Sequence, residues 1–221
     1  MEASDNRHIN LVFDTTFFGR SYGILVFRAN GRNIYSRIVD GEKIYYIVEC
    51  LNYLLELGYT FKSFTIDGRK GVIQVLKGLF PNIPIQLCQF HQAMIIRRYT
   101  TNNPKTECGI ELKELMRDLT KLDKITFAEK FFLLSKKYSL FLKERNENKE
   151  FIHKRLRSAF RSLRTNLPHL FTYKNHSSLN IPNTTNSCDG SFSHWKNKVK
   201  IHRGLRLDRK EKMICELIKN S

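Results

Sequence analysis

Three strand-like segments at the start of the chain, joined by very short connections, constrain its fold most strongly. Residues 9–18, 22–28 and 33–39 are each rich in β-branched and aromatic side chains. Asn30 and Gly31 separate the last two segments and favour a tight hairpin turn. The three segments therefore predict an antiparallel meander.

The following segments alternate between helical and strand patterns. Their spacing predicts a helix over 42–57, a strand over 61–66, a helix over 70–79, a strand over 83–87 and a helix over 88–100. The resulting order, βββαβαβα, is the RNase H-like arrangement. We therefore expect an α/β fold with a mixed five-stranded sheet and flanking helices.

Residues 105–167 show helical periodicity only, and their apolar stripes predict core packing. The stripes comprise Leu112, Leu115, Met116, Leu119 and Leu122, then Phe127, Phe131, Phe132, Leu134, Tyr138, Phe141 and Leu142, then Leu156, Phe160, Leu163 and Leu167. Pro168 is expected to begin an irregular polar stretch, followed by helices over 187–198 and from 208 onward. The predicted organisation is a core over 1–100 and 183–221, with an all-helical insertion over 101–182.

The charge of the chain points to a polyanionic partner. Lys and Arg number 38 against 21 Asp and Glu, a formal net charge of +17. Such a surface attracts phosphate backbones through counterion release. No run of about 18 apolar residues is present to span a bilayer. Nucleic acid is therefore the expected partner, and a membrane is not.

The cysteines predict reduced thiols. There are five, at 50, 88, 108, 188 and 215, and no two of them form a Cys-x-x-Cys pair. An odd, scattered set in a chain of this length is typical of intracellular proteins without a disulfide framework. We expect a cytoplasmic location, or a nuclear one in a eukaryote.

Two aspartates follow or interrupt predicted strands. Asp14 lies within an otherwise apolar strand, where a carboxylate is costly to bury unless it is paired or binds a metal. Asp67 ends the fourth strand, which neighbours the first in this topology. Their carboxylates would converge and favour a divalent cation such as Mg²⁺ or Mn²⁺. The alternative is that Asp14 caps a turn and Asp67 only opens the next helix.

Further polar residues are candidates for the same site. Asp189 lies near the start of a predicted helix, 122 residues after Asp67, where it would complete a metal site or merely complement the helix dipole. Cys88 and His91 form a Cys-x-x-His pair, which is too few ligands for zinc. Trp195 would stack on an unpaired base or pack in the core, and core packing is the expectation. Candidates for phosphate contact are Arg69, Lys70, Lys196, Lys198, Lys200 and Arg203.

Five segments, in order, resemble the catalytic domain of bacterial mutator-type transposases, which are related to plant Mutator-like elements. The segments are VFDTTFFG (12–19), IDGRKG (66–71), CQFH (88–91), NTTNSCDGSFSHWK (183–196) and HRGL (202–205). The second and third are weak alone, and the fourth is the most specific. The resemblance extends over essentially the whole chain.

The resemblance implies an RNase H-like fold with a helical insertion before the third acid, and metal-dependent cutting and joining of DNA at transposon ends. It assigns the three acids to Asp14, Asp67 and Asp189, with Cys88, His91 and Asn186 in supporting roles. Partners implied are double-stranded DNA, as transposon ends and target, and further copies of the chain on that DNA. A bacterial protein of this kind would lie in the cytoplasm with the nucleoid.

The sequence departs from the family in two ways. The third acid is normally Glu, so Asp189 is one methylene shorter. Asp14 follows Met1 by only 13 residues, so the DNA-binding module that usually precedes this domain is expected to be missing. Two other functions therefore stay open: a DNA-binding remnant without catalysis, and an RNase H-like nuclease without strand transfer. Metal-dependent nicking excludes the first, and joining of a 3′ end excludes the second.

Overall fold

The computed structural model describes residues 7–19 and 22–219, and it contains one mixed sheet of five strands. The strands are β1 (His8–Phe18), β2 (Tyr22–Ala29), β3 (Arg32–Val39), β4 (Thr60–Ile66) and β5 (Ile85–Leu87). Their order in the sheet is β3-β2-β1-β4-β5. The three N-terminal strands pair antiparallel, whereas β4 pairs parallel with both β1 and β5. The predicted α/β fold with a mixed five-stranded sheet is confirmed.

Nine α-helices connect and flank the strands within the described residues. They are α1 (Ile44–Glu56), α2 (Lys70–Leu79), α3 (Gln89–Thr100), α4 (Glu107–Arg117), α5 (Lys124–Lys137), α6 (Lys154–Leu170), α7 (Thr172–Asn175), α8 (Asn186–Ile201) and α9 (Leu207–Lys219). The bounds of α2 coincide with the predicted ones. The strand β5 begins two residues later than predicted, beyond Pro84, which has no N–H to donate to a sheet.

The β2–β3 turn explains the tight meander. Asn30 and Gly31 have φ angles of 51° and 77°, in the left-handed region that a two-residue type I′ turn requires. Asn and Gly are the residues that adopt this conformation at least cost. The turn therefore forms as the Asn-Gly pair predicts.

The sheet has a hydrophobic core on each face because successive side chains of a strand point in opposite directions. Leu11 and Phe13 of β1 belong to the larger core, together with residues of α1 to α6. Val12 belongs to a smaller core on the other face, where α8 and α9 pack. Trp195 of α8 is 1% exposed in this smaller core, so its predicted core role is confirmed.

Helices α4 to α6 pack on the larger core together with the sheet. Phe127 of α5 and Phe160 of α6 lie in one hydrophobic cluster with Phe64 of β4. Phe132 was predicted to be a core residue and is instead 66% exposed. It lies about 100° around α5 from the buried Phe131, so helical geometry turns it outward.

The prediction that Pro168 begins an irregular stretch is wrong, because α6 continues through it to Leu170. A proline costs a helix one hydrogen bond to the carbonyl four residues earlier, which here is that of Arg164. Leu170 and Phe171 are both fully buried. Burial of these two side chains offsets that loss, and the chain stays helical to the edge of the core.

The segment before α8 is attached to the sheet by hydrogen bonds. Asn10 donates from Nδ2 to the Leu179 carbonyl at 2.7 Å, and the Thr65 hydroxyl donates to the Pro182 carbonyl at 2.8 Å. The Gln89 N–H donates to the Asn183 carbonyl at 3.0 Å. These bonds connect this segment to β1, β4 and α3.

Arg28 of β2 holds the start of α8 on the sheet. Its Nη1 donates to the Ser187 carbonyl at 2.7 Å and to Ser191 Oγ at 2.6 Å, and its Nη2 donates to the Gly31 carbonyl at 2.8 Å. The side chain is buried beneath the helix. A planar guanidinium with several donors suits this bridging position.

The sequence also predicts unpaired cysteines and no membrane-spanning segment. All five cysteines are free. A search of the described helices finds none that combines the length and the apolar character needed to cross a membrane. The prediction that the cysteines are unpaired is therefore confirmed.

We expect Arg28→Met to lower the free energy of unfolding by about 2–4 kcal/mol, because it removes charged hydrogen bonds to buried acceptors. The midpoint of urea unfolding measures the change. Arg32→Met is the matched control, since Arg32 is exposed at the start of β3. Equal midpoints for the two variants would contradict the anchoring role.

Candidate metal centre

Asp14 lies in the central strand of the sheet. Strand β1 pairs with β2 on one side, where Asp14 is opposite Val26, and with β4 on the other. One of its carboxylate oxygens, Oδ1, accepts the N–H of Thr15 at 2.7 Å. This bond orients the carboxylate and resembles the capping alternative, but Asp14 stays within the strand.

Asp189 lies in the first turn of α8, which packs against the same face of the sheet as Val12. Its N–H donates to the Thr185 carbonyl at 3.2 Å. Its side-chain oxygen Oδ2 is buried and has no hydrogen-bond partner among the described residues. A buried carboxylate oxygen without a partner is costly unless it binds a cation.

His91 lies in the first turn of α3, directly after β5. Cys88 caps this helix, and its Sγ accepts the His91 N–H at 3.5 Å and the Thr185 N–H at 3.3 Å. The Thr185 hydroxyl lies 3.4 Å from Cys88 Sγ and 3.2 Å from His91 Nδ1. If the Thr185 hydroxyl donates its hydrogen to Cys88 Sγ, its oxygen accepts a hydrogen bond from His91 Nδ1–H. His91 Nε2 then remains available to interact with the carboxylates.

These three side chains converge into a group that could hold a metal ion. One ligand atom each from Asp14, His91 and Asp189 lies within 4.8 Å of the other two. Carboxylates and imidazoles are common ligands of divalent cations. A cation bound here would supply the partner that Asp189 Oδ2 lacks. Although one methylene shorter than Glu, Asp189 reaches the group.

Asp67 lies beside this group but is not one of its members. A cavity of about 20 Å³ separates it from Asp14, a volume that holds about one water or one ion. The residues that line the cavity are Phe13, Asp14, Thr15, Glu42, Ile47, Asp67, Arg69 and Val72. Asp67 and Asp14 also interact electrostatically, since each negative charge disfavours the other.

Burial and neighbouring charges shift the pKa values of the centre. Burial raises the pKa of Asp14 to about 7, partly offset by His91 and the Thr15 N–H, while Asp67 and Asp189 raise it further. Burial also raises the pKa of Asp67. The hydrogen bond with Cys88 raises the pKa of His91 to about 9 against its own burial, helped by the Cys88, Asp14 and Asp189 charges. The imidazolium thus balances a cluster of acids.

Cys88 takes part in this balance without joining the metal group. Its burial raises the pKa of the thiol, but hydrogen bonds from His91 and Thr185 outweigh burial and lower the pKa below its usual value. Cys88 is 1% exposed. It therefore contacts His91 and Thr185 from within the core.

The remaining predicted residues are less closely tied to the centre. Asn186 is exposed as the first residue of α8. Arg69 forms an ion pair with Glu42 at 3.0 Å and also donates to the Glu42 carbonyl, so its guanidinium is already partnered. The other predicted phosphate contacts are exposed: Lys70, Lys196, Lys198, Lys200 and Arg203.

Sequence reasoning missed three residues that shape the centre. Thr185 bridges Cys88 and His91, and Glu42 pairs with Arg69 at the Asp67 side. Asn166 of α6 approaches Gly68 so closely that a Cβ at this glycine would lie 2.9 Å from its Nδ2. The Thr-Thr-Asn block was a usable signal for Thr185, but no local pattern marks the other two.

Comparison with known proteins does not identify the chain. No protein-family model matches it, and no curated protein matches it.

We expect the metal-free protein to lose stability as the pH rises from about 4 to about 9. The pKa of Asp14 and the pKa of His91 are both higher in the folded protein than in the unfolded chain. The stability that each group contributes is therefore fully present below its unfolded pKa. It is lost as the pH rises through its folded pKa. At pH 8 in EDTA, Asp14→Asn should therefore unfold at higher urea than wild type, by about 2–4 kcal/mol.

The control for this pH experiment is Glu147→Gln, which removes an exposed carboxylate far from the centre in sequence. It should follow the wild-type pH profile. An Asp14→Asn profile parallel to wild type from pH 4 to 9 would contradict the assigned burial of the charge.

We expect Mn²⁺ or Mg²⁺ to raise the thermal midpoint of the wild type at pH 8. Ligand at a hundred times its dissociation constant stabilises a fold by about 2.7 kcal/mol. The increase should vanish in Asp14→Asn and Asp189→Asn, and persist in Asp208→Asn, which alters an exposed acid of α9. An equal increase in all four proteins would show that the cation binds elsewhere.

Proposed function

We propose that this chain is the catalytic domain of a DDE-type DNA transposase of the bacterial mutator type. It would cut DNA at transposon ends and join the 3′ ends to target DNA. The observation that carries the proposal is the convergence of Asp14, Asp189 and His91 beside Asp67 in a chain with a net charge of +17. Clustered acids in a basic protein suit a metal-dependent reaction on a phosphate backbone.

The architecture supports this proposal. The sheet order β3-β2-β1-β4-β5, with β3-β2-β1 antiparallel and β4 and β5 parallel to β1, is compatible with an RNase H-like fold. The helices α4 to α6 come between α3 and the helix of the third acid, where the proposed family has its helical insertion. We propose the same division, with the insertion over 101–182.

In this proposal Asp14, Asp67 and Asp189 hold Mg²⁺ or Mn²⁺, with His91 at the edge of the site. When bound, such ions activate the attacking oxygen and stabilise the leaving oxygen of the phosphodiester. The unpartnered Asp189 Oδ2 and the small cavity between Asp14 and Asp67 are the features that support these ligands. Carboxylate oxygens are the donors these cations prefer.

His91 has a separate task in the proposed reaction. In the metal-free centre the hydrogen bond with Cys88 raises the pKa of His91 to about 9, which favours the positively charged imidazole at neutral pH. Its Nδ1 is engaged by Thr185, so Nε2–H would donate to a phosphate oxygen and counter the charge that develops during phosphoryl transfer. The Cys88–Thr185 network keeps the ring in place for this contact.

The proposed partner is double-stranded DNA, as transposon end and as target, bound by a homo-oligomer of the chain. The exposed cations Lys70, Lys196, Lys198, Lys200 and Arg203 would contact its phosphates. Arg69 would first have to leave Glu42. Such a protein would work in the bacterial cytoplasm at the nucleoid.

The proposal is tested by a cleavage and strand-transfer assay with Mg²⁺ or Mn²⁺, on DNA that carries candidate element ends. We expect Asp14→Asn, Asp67→Asn and Asp189→Asn to slow cleavage by about a hundredfold or more, because each removes a metal-binding charge from the reacting centre. His91→Gln should slow cleavage less and preserve metal binding. Asp208→Asn should react like wild type.

The outcomes separate the three functions. Cleavage with joining of 3′ ends supports the transposase. Cleavage without joining, under the same conditions, would favour the nuclease. DNA binding without cleavage in both wild type and Asp189→Glu would favour the inactive remnant. Cleavage by Asp189→Glu but not by wild type would show that the shorter acid limits catalysis.

A further inference from the structure

A pocket with aromatic and cationic walls lies between the β1–β2 end of the sheet and the C-terminal helices. Its volume is about 380 Å³. Phe17, Phe18 and Tyr22 line one side, and the rings of Phe18 and Tyr22 are stacked with centroids 5.3 Å apart. Tyr22 is only 5% exposed, so the partly exposed Phe18 offers the accessible ring. Flat aromatic surfaces of this kind are what unpaired bases stack on.

The opposite wall carries a concentration of positive charge. Lys196, Lys200, Arg203 and Lys210 line it, and no carboxylate is found among the described residues that line the pocket. These cations repel one another, although Lys210 Nζ also donates to the Arg203 carbonyl at 2.8 Å and the charge of Glu211 acts on Tyr22. An anion between Lys196, Lys200 and Arg203 would therefore stabilise the arrangement. The pocket therefore offers a stacking surface and a phosphate-binding surface to the same ligand.

The pocket lies on the same side of α8 as the acid centre. At 100° per residue, Lys196 and Lys200 lie within about 20° of the direction of Asp189 around the helix axis, whereas Lys198 points about 180° away. Phe18 lies four residues after Asp14 in β1, and alternation puts both on one face of the sheet. The acids and the pocket therefore lie on the same side of α8 and on the same face of β1.

The distance from the acids to the pocket matches a few nucleotides. Lys196 and Lys200 lie about 10 and 16 Å beyond Asp189 along the axis of α8, and Phe18 lies about 13 Å beyond Asp14 along β1. Three to five nucleotides of a B-form strand span roughly the same distance, at about 3.4 Å each. A strand whose phosphate lies at the acids would bring a nearby nucleotide to the pocket.

We propose that this pocket binds an unpaired nucleotide of the DNA strand, three to five positions from the phosphate at the acid centre. The base stacks against Phe18, which is backed by the buried Tyr22, and its phosphate pairs with Lys196 and Lys200. This inference rests on the proposed function, because it takes DNA to be the ligand of the acid centre. It adds that the substrate carries, or is opened to give, an unpaired base near the reacting phosphate.

The test measures equilibrium binding in EDTA to a blunt duplex and to a duplex with a six-nucleotide 3′ overhang of mixed sequence. One stacked base changes affinity by about tenfold. We expect wild type to bind the overhang duplex about tenfold more tightly. Val199→Trp, which fills the pocket from α8, and Lys200→Gln should each abolish most of that preference.

Lys198→Gln is the matched control, since it removes the same charge from the other side of the same helix. It should weaken binding to both duplexes equally and keep the preference. Thermal unfolding of each variant shows that a lost preference does not reflect a lost fold.

Two results would overturn the inference. They are equal binding of both duplexes by wild type, and an undiminished preference in both Val199→Trp and Lys200→Gln. Because EDTA removes the metal, these results do not depend on catalysis. The binding results would therefore remain interpretable even if the cleavage assay failed.

Discussion

Burial of the Asp14 carboxylate in the central strand is the constraint on which the rest of the site depends. A charge there is disfavoured enough to raise its pKa to about 7, and two further acids nearby increase the cost. The molecule offsets this with the Thr15 N–H and with an imidazolium at His91. Such an arrangement is of little use to stability alone, and a divalent cation would relieve it.

The positions of the other two group members follow from how their helices begin. Cys88 caps α3 and holds Thr185, so the start of α3 and the loop before α8 are joined through one sulfur. Arg28 then attaches the first turns of α8 to β2 and to the β2–β3 turn. Because Asp189 and His91 both lie in first turns, small changes at these anchors would move both ligands.

The accuracy of the sequence predictions differs between the fold and the site. The strands and helices follow from local periodicity, and residues such as Asn30, Gly31 and Trp195 behave as their chemistry indicates. There are three exceptions: Phe132 is exposed, α6 continues through Pro168, and residues 138–153, which were predicted to be helical, contain only a short 3-10 turn and an isolated bridge between Arg145 and Phe151. Asp14 was recognisable as an acid within an apolar strand, and Asp189 was assigned only through the family resemblance. The pairing of Arg69 with Glu42 had no local signal.

The order and type of most elements, the excess of positive charge and the acids available for metal binding follow from the sequence alone. These properties are local or additive, so they can be read without knowing which segments touch. Tertiary structure alone decided that His91 joins Asp14 and Asp189 while Asp67 lies across a small cavity. It also decided that Lys196 and Lys200 share a pocket with Phe18, because contacts between β1 and α8, more than 170 residues apart, depend on how both pack on one sheet.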